Sequence, residues 1–197
     1  MGAGFLRRGR SEMKTVVFFL EEPSAKEMLE GILPRLLPKG VYARYLVFRG
    51  KQDLEKNLLR KLRGWQLPNS SFIVLRDQDA GDCHIVKARL MNICQLTGRE
   101  NVLVRIACRE LESFYLGDLA AVEKGLGLSS LSAKQNSRKY RTPDILGNPS
   151  EELFKLTEYV YQKVAGSRAI SPHLDLQGNR SHSFNVLLSG IRKLLFA

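Results

Sequence analysis

Four short runs of strand-forming residues, separated by helical patterns, are the feature that most restricts the fold of this chain. The runs cover residues 15–20, 42–48, 72–76 and 102–107. Leu54, Leu58 and Leu62 illustrate the helical patterns, because they recur at every fourth position. Strands that alternate with helices of this length form a mainly parallel sheet through right-handed crossovers. The sequence therefore predicts an α/β, Rossmann-like fold with a mainly parallel four-stranded sheet flanked by helices.

Length and composition predict one core with an appended C-terminal part. The chain has 197 residues, of which 44% are hydrophobic, and this suffices for one well-buried core. Residues 13–120 are expected to form the core domain, and residues 121–197 a basic loop and a helical C-terminal extension packed on it. Residues 1–12 are expected to be a disordered extension, with Met13 as a candidate natural start.

Acidic residues follow three of the predicted strands. In chain order they are Glu21 and Glu22, Asp77 and Asp79, and Glu110 and Glu112. The carboxyl ends of parallel strands meet at one edge of a sheet, where ligands of such folds bind, so these carboxylates can converge. Crowded carboxylates raise their own pKa values unless a cation lies between them. Because hard oxygen ligands suit Mg²⁺ or Mn²⁺, the pattern predicts a divalent metal site.

The acids after the third strand also have structural interpretations. Asp77 and Asp79 can end the strand in an Asx-turn, in which the carboxylate accepts local backbone N–H groups. Asp82 can be the N-cap of the next helix or an outer metal ligand.

A strong positive charge accompanies the acidic strand ends. Lys and Arg total 31 against 20 acids, a net charge of +11, which favours a nucleic acid partner over a merely soluble basic protein. Lys51 follows the second strand and is predicted to contact phosphate at the same sheet edge. Arg168 and Arg180 lie in turn-rich C-terminal segments that either form an anion pocket at the last helix or cap that helix through Ser181 or Ser183.

Cysteine spacing and hydropathy argue against other classes. Cys83, Cys94 and Cys108 show no C-x-x-C spacing, so neither a disulfide framework nor a zinc knuckle is predicted, and a reducing cytoplasm is expected. No apolar run approaches the roughly 20 residues that cross a bilayer, so no membrane partner is predicted. The oligomeric state is left open.

The order of these motifs resembles the Toprim domain, which topoisomerases, bacterial primases and OLD nucleases share. Over residues 14–115 a strand ending in Glu, a helix, a second strand and helix, and a strand ending in Asp-x-Asp follow one another. The family's Glu falls on Glu21 in FFLEEPSA, and its Asp pair on Asp77 and Asp79 in VLRDQDAGDC. Many Toprim domains have Gly after the Glu, whereas this chain has Glu22, so the choice between Glu21 and Glu22 stays open.

The resemblance implies that Asp77 and Asp79 bind Mg²⁺ or Mn²⁺ and that Glu21 completes the site as a ligand or in proton transfer. Glu22 is an extra candidate ligand.

Glu110 and Glu112 resemble the additional acids of OLD-type sites, which support a second ion and two-metal hydrolysis. The alternative is that they form ion pairs with Arg105 or Arg109.

Further segments, among them VRIACRELESFYLGD and NRSHSF, resemble a group of small stand-alone Toprim-like proteins of unassigned function. Members are often encoded beside ABC-type ATPases of the OLD or SMC-like kind. The resemblance implies a Mg²⁺-dependent nuclease of DNA or RNA that works with such an ATPase in anti-phage defence. The alternative is a non-catalytic module that docks or regulates the ATPase. An open acidic edge flanked by basic surface favours the nuclease, and an edge plugged by the C-terminal segment favours the module.

Overall fold

The computed structural model describes residues 14–196, so the predicted extension over residues 1–12 lies outside the described residues. The strands are β1 (Lys14–Leu20), β2 (Val41–Val47), β3 (Ser70–Asp77) and β4 (Val102–Ala107). The helices are α1 (Pro23–Ile32), α2 (Lys51–Arg63), α3 (Cys83–Gln95), α4 (Glu112–Leu116), α5 (Leu119–Leu126), α6 (Pro149–Leu156), α7 (Lys163–Ile170) and α8 (His182–Phe196). None of the helices in this part of the chain is long and apolar enough to span a membrane.

The strands form one sheet in the order β2-β1-β3-β4, and every neighbouring pair is parallel. At the end of the central pair Leu20 of β1 lies opposite Leu75 of β3, and two residues further along β3 Asp77 lies opposite Ala107 of β4. The chain runs from β1 outward to β2 and then returns to β3 on the other side. This reversal creates a crevice at the carboxyl ends of β1 and β3. The predicted Toprim-like α/β fold is therefore confirmed.

Side chains of the central strands alternate between two hydrophobic cores, as the pleat of a strand requires. Phe18, Leu20 and Leu75 lie in the larger core, which α1 and the C-terminal helices cover. Phe19 and Val74 lie in the smaller core, which α2 and α3 cover. Consecutive residues at the strand ends therefore point to opposite faces of the sheet.

The C-terminal segment packs closely on the core through α7. A Cβ atom on Gly125 of α5 would lie 2.6 Å from the Ala169 carbonyl oxygen and 2.7 Å from Cα of Ile170. Arg35, which follows α1, donates hydrogen bonds to the carbonyl oxygens of Ser171 at 2.9 Å and Leu174 at 2.8 Å. These contacts hold the end of α7 and the residues that follow it against α5 and the turn after α1.

Helix α8 begins at an N-cap formed by Ser181, whose Oγ accepts the Phe184 N–H at 3.2 Å. The Asp144 carboxylate accepts the Ser181 hydroxyl at 2.6 Å and the Ser183 N–H at 2.7 Å. Of the two interpretations of this turn, an anion pocket or a helix cap, the structure shows the helix cap. A carboxylate of the chain itself occupies the place where an anion would approach α8.

Candidate metal centre at the carboxyl edge of the sheet

The acids after β1 and β3 lie at one edge but on two faces. Side chains alternate between the two faces of the sheet along each strand. By this alternation Glu21 and Arg76 lie on the face that α2 and α3 cover, whereas Glu22 and Asp77 lie on the face that α1 and α7 cover. The two faces remain close, because the Asp77 N–H donates to Oε2 of Glu21 at 3.3 Å. The predicted carboxylates therefore divide into two groups.

The first group, named here the Arg76 group, consists of Arg76, Glu21, Glu55, Asp79 and Lys51. Arg76 is only 6% exposed and contacts the Glu55 carboxylate directly. Its Nε lies 3.6 Å from Oε2 of Glu21, and its Nη2 lies 3.9 Å from Oδ2 of Asp79. Nζ of Lys51 donates to Oδ2 of Asp79 at 2.8 Å. Two cations of the chain thus neutralise most of the charge of three carboxylates.

The loop after β3 positions Asp79 and Asp82 differently. Asp79 has φ 57, in the left-handed region that Asp tolerates, and its N–H donates to the Arg109 carbonyl oxygen at 2.7 Å. Asp82 accepts the N–H groups of His84 at 2.8 Å and Ile85 at 3.1 Å. The hydrogen bonds from Ile85 and His84 lower the pKa of Asp82. Asp82 is therefore the N-cap of α3, as one of its two interpretations predicts.

The second group, named here the Lys163 group, consists of Lys163, Glu22, Asp77, Glu112 and Tyr161. Nζ of Lys163 lies 3.6 Å from Oε2 of Glu22 and 3.9 Å from Oε1 of Glu112. The Tyr161 hydroxyl donates to the same Glu112 oxygen at 2.9 Å. Glu112 is fully buried, and its Oε2 has no hydrogen-bond partner among the described residues. Asp77 interacts electrostatically with Glu22, Glu112 and Lys163, so three carboxylates in this group share a single lysine.

Burial, together with the excess of negative charge in the Lys163 group, shifts the pKa values of its carboxylates. Burial, and then repulsion from Glu22 and Glu112, raise the pKa of Asp77 well above its usual range. Burial raises the pKa of Glu112 as well, although Lys163 and the Tyr161 hydroxyl oppose the change. Ionising this group without further positive charge therefore costs free energy.

These shifts predict that stability in EDTA falls as pH rises above 3.8, the ordinary pKa of aspartate. Folded Asp77 keeps its proton to higher pH than the unfolded chain does. The folded state therefore binds more protons in this window, and the free energy of unfolding declines with pH by at most about 1.4 kcal/mol per pH unit for one proton. Urea denaturation across pH should show a shallower decline for Asp77→Asn. If the free energy of unfolding declined with pH equally in both proteins, the raised pKa of Asp77 would be contradicted.

Glu110 and Glu112 do not pair with the two arginines that precede them. Oε2 of Glu110 accepts the backbone N–H of Ser150 at 2.7 Å, in the first turn of α6. Arg105 instead donates from its Nε to the Val186 carbonyl oxygen at 3.1 Å. Of the two interpretations, the structure does not form the ion pairs with Arg105 or Arg109. The partners of the two glutamates lie far along the chain, at Ser150, Tyr161 and Lys163. Glu110 thus fixes the start of α6 beside the site.

The predicted phosphate-binding cations lie at three separate places, each held by a polar partner. Lys51 lies at the acidic edge, in the Arg76 group. Arg168 makes a two-point contact from α7 to Glu27 of α1, with distances of 2.6 and 3.1 Å. Arg180 donates to Oδ1 of Asn136 at 2.5 Å. Only Lys51 among these three contacts a predicted metal ligand.

Two cavities open beside the acidic edge. One of about 510 Å³ borders the Lys163 group, and its lining includes Glu110, Asn148, Ser150, Phe154, Tyr161 and Lys163. The other, of about 420 Å³, borders the Arg76 group, and its lining includes Lys51, Glu55, Arg76, Asp79, Ile85 and Arg89. The C-terminal segment therefore forms most of the wall of the cavity on one face of the edge, whereas α2, α3 and the loop after β3 form most of the wall of the other.

The sequence did not indicate Arg76, Glu55 or Tyr161 as site residues. Arg76 carries a usable signal, because a charged residue near the end of an apolar strand requires a buried partner. Glu55 and Tyr161 carry no such signal. The residues around each are consistent with an exposed position, and their partners, Arg76 and Glu112, lie far away along the chain.

Tyr161→Phe tests the support of the buried glutamate. The variant removes the hydroxyl that donates to Glu112 and leaves that carboxylate oxygen with Lys163 alone. Loss of a hydrogen bond to a buried charged group predicts a destabilisation of about 1.5–3 kcal/mol, measured by urea denaturation. Tyr140→Phe is the matched control, since its partner Glu152 is less buried and also contacts Lys139. Equal losses in both variants would show that Glu112 does not depend on Tyr161.

The residues of the Lys163 group fit a divalent cation in chemistry and charge. Within residues 14–196 no three carboxylate, imidazole or thiol groups form a ready-made metal site. Arg76 and Lys163 lie among the acids instead. The excess of negative charge around Asp77 and the unpartnered oxygen of Glu112 are nevertheless features that a cation would neutralise. The Arg76 group, in contrast, carries internal cations already.

A parallel sheet with carboxylates at its β1 and β3 ends defines a Toprim-like α/β protein. The sequence model of the family described as a domain of unknown function, DUF4276, matches residues 20–192, and the chain belongs to this family. Among solved structures, the chain is similar to the C-terminal region of the Burkholderia pseudomallei OLD protein, with a TM-score of 0.55 and 17% sequence identity. The similarity covers 91% of this chain and 98% of that one. A search of curated proteins gave no match.

Proposed function

We propose that this protein is a divalent-metal-dependent nuclease that hydrolyses phosphodiester bonds in DNA or RNA. The observation that carries the proposal is the Lys163 group, in which three carboxylates face one lysine at the edge of a Toprim-like sheet. Similarity of fold to the C-terminal region of an OLD protein and the net charge of +11 support it. Bound Mg²⁺ or Mn²⁺ would polarise the phosphoryl group and supply an activated water.

In this proposal Glu22, Asp77 and Glu112 hold the cation, and the Tyr161 hydroxyl fixes Glu112. The Lys163 ammonium, which neutralises these carboxylates in the metal-free protein, is then free to neutralise a substrate phosphate. Its partly exposed side chain is long enough to exchange one anionic partner for the other.

Glu21 and Asp79 are proposed to remain neutralised by Arg76 and Lys51. A buried guanidinium with three carboxylate neighbours supplies the positive charge that a second ion would otherwise provide. We therefore propose one divalent cation for this chain, rather than the pair that the OLD-type resemblance implies. Glu110 is assigned to the anchoring of α6.

The second candidate function is a non-catalytic module that docks or regulates an ABC-type ATPase. It is favoured by the contacts of Lys163 and Tyr161, through which the C-terminal segment covers part of the acidic edge. An ATPase partner and a place in anti-phage defence are compatible with either function.

A cleavage assay separates the two functions. Plasmid DNA and a structured RNA are incubated with the protein in Mg²⁺, Mn²⁺ or EDTA, with and without a co-purified ABC-type ATPase. The nuclease proposal predicts strand breaks in Mg²⁺ or Mn²⁺ and none in EDTA. Intact substrates in every condition would favour the docking module.

Salt dependence tests the phosphate contact of Lys51. Nucleic acid affinity is expected to fall as salt rises, and Lys51→Gln should reduce the log-log slope by about 0.9 on duplex DNA, or about 0.7 on single strands. Lys39→Gln is the control, because Lys39 is exposed in the turn before β2, at the opposite edge of the sheet. An unchanged slope in Lys51→Gln would remove Lys51 from the binding surface.

A further inference from the structure

Helix α6 and the turn after it present two aromatic side chains, Phe154 and Tyr159, to solvent beside the Lys163 group. Phe154 is 37% and Tyr159 63% exposed, and their ring centroids lie 4.9 Å apart at an interplanar angle of 77°. Val160, which follows Tyr159 in the chain, and Val164 in the first turn of α7 are exposed as well. These four residues are named here the aromatic turn.

The backbone of the aromatic turn is held in an unfavourable conformation. Glu158 and Tyr159 are consecutive non-glycine residues with φ values of 50 and 69, in the left-handed region. Each such residue costs on the order of 1 kcal/mol, and residues of this kind cluster at functional sites. The Tyr159 N–H donates to the Phe154 carbonyl oxygen at 2.8 Å, and the buried Thr157 hydroxyl donates to that of Leu153 at 2.8 Å. The turn therefore projects the Tyr159 ring outward.

Phe154 is also part of the wall of the 510 Å³ cavity that borders the Lys163 group. Asn148 and Gln162 contribute amide groups to the lining, and Glu110 and Glu151 contribute carboxylates. An aromatic ring suits the face of a base, whereas amides and carboxylates suit the hydrogen-bonding groups at its edge. The volume lies within the range of about 300–1,000 Å³ that is typical of small-ligand pockets.

We propose that the aromatic turn and this cavity bind an unpaired nucleobase, so that the adjoining phosphodiester lies at the Lys163 group. The inference rests on the proposed nuclease function and names its substrate class, a nucleic acid with unpaired bases. Stacking on an aromatic side chain requires a free base face, which a base inside a duplex lacks. The lysine beside the cavity supplies the charge that the attached phosphate requires.

The test measures binding in EDTA, so that cleavage plays no part. One sequence carrying a single 2-aminopurine is prepared as single-stranded DNA, as RNA and as a blunt DNA duplex. The wild-type protein is expected to bind a single strand at least about 10-fold more tightly than the duplex and to change the 2-aminopurine fluorescence through stacking. The tighter of the two single strands identifies DNA or RNA as the substrate.

The variant Phe154→Leu/Tyr159→Asn removes both rings, and Asn tolerates the left-handed backbone. It should weaken single-strand binding about 10-fold or more and leave duplex binding unchanged. Tyr42→Ala, which removes an exposed ring near the amino end of β2, should bind as the wild type does. Equal affinity of wild-type protein for both forms, with no loss in the double variant, would overturn the base site and leave the nuclease proposal intact. Absence of any nucleic acid binding would overturn both and favour a protein partner for the aromatic turn.

Discussion

Asp77→Asn is expected to reduce metal-dependent cleavage by about 100-fold or more while leaving the metal-free protein no less stable than wild type. The substitution removes an anionic ligand, and even residues that only support metal ligands change affinity or activity by about 10–100-fold. It also removes a charge that is repelled by Glu22 and Glu112, which is why stability should not fall. Initial cleavage rates in Mg²⁺ and urea denaturation in EDTA measure the two effects.

Asp82→Asn provides a matched control within the same RDQDAGD stretch. Asn is as good an N-cap as Asp, so α3 should keep its cap and cleavage should proceed at the wild-type rate. Loss of cleavage in both variants would indicate a general sensitivity of the loop. Wild-type cleavage by Asp77→Asn would show that Asp77 is not a metal ligand.

Arg76→Met is expected to destabilise the protein by about 3–5 kcal/mol at neutral pH, because removing one partner of a buried ion pair leaves uncompensated charge. Glu21, Glu55 and Asp79 would lose the guanidinium that they share. Asp79 would keep Lys51 and Glu55 would keep the exposed Arg89, whereas Glu21 would keep no cation within ion-pair distance among the described residues. Urea denaturation in EDTA measures the change. The loss should shrink in acid, because burial raises the pKa of Glu21 and this carboxylate then becomes neutral.

Arg89→Met is the control for this effect. Arg89 is 60% exposed and contacts the same Glu55 at 3.7 Å, so its loss should cost less than about 1 kcal/mol. Glu21→Gln added to Arg76→Met should restore part of the lost stability, because it removes one of the unpaired charges. An Arg76→Met protein within about 1 kcal/mol of wild type would show that the Arg76 group is not an electrostatic unit.

The fold could be predicted because its signals are local. Strand β4 has the predicted bounds, residues 102–107, and β3 extends the prediction of residues 72–76 at both ends. The extension includes Ser70 and Ser71, which are polar but buried, and Asp77, which pairs opposite Ala107. A pattern of apolar residues cannot reveal such positions, because backbone pairing and not side-chain hydropathy places them in the strand. The division at residue 120 between core and C-terminal extension stays a prediction.

The gathering of acids at one edge could also be predicted, because parallel topology places the ends of β1 and β3 side by side. The division of the acids between the two faces follows from the alternation of side chains along each strand. This division could be assigned only once the last residue of each strand was known. The ion pairs that Arg76 and Lys163 form with the acids could not be predicted, because they depend on how α2 and α7 pack against the sheet. The sheet edge is accordingly neither fully open nor plugged, since α7 covers part of one face.

The central claim is that Asp77 and its neighbours bind a divalent cation. Thermal denaturation with and without Mg²⁺ or Mn²⁺ tests it most directly, because a ligand that binds only the folded state stabilises it, by about 2.7 kcal/mol at 100 times its Kd. The melting temperature of the wild-type protein and of Asp82→Asn should rise with metal concentration and that of Asp77→Asn should rise much less. Equal metal-induced shifts in wild type and Asp77→Asn would contradict the account.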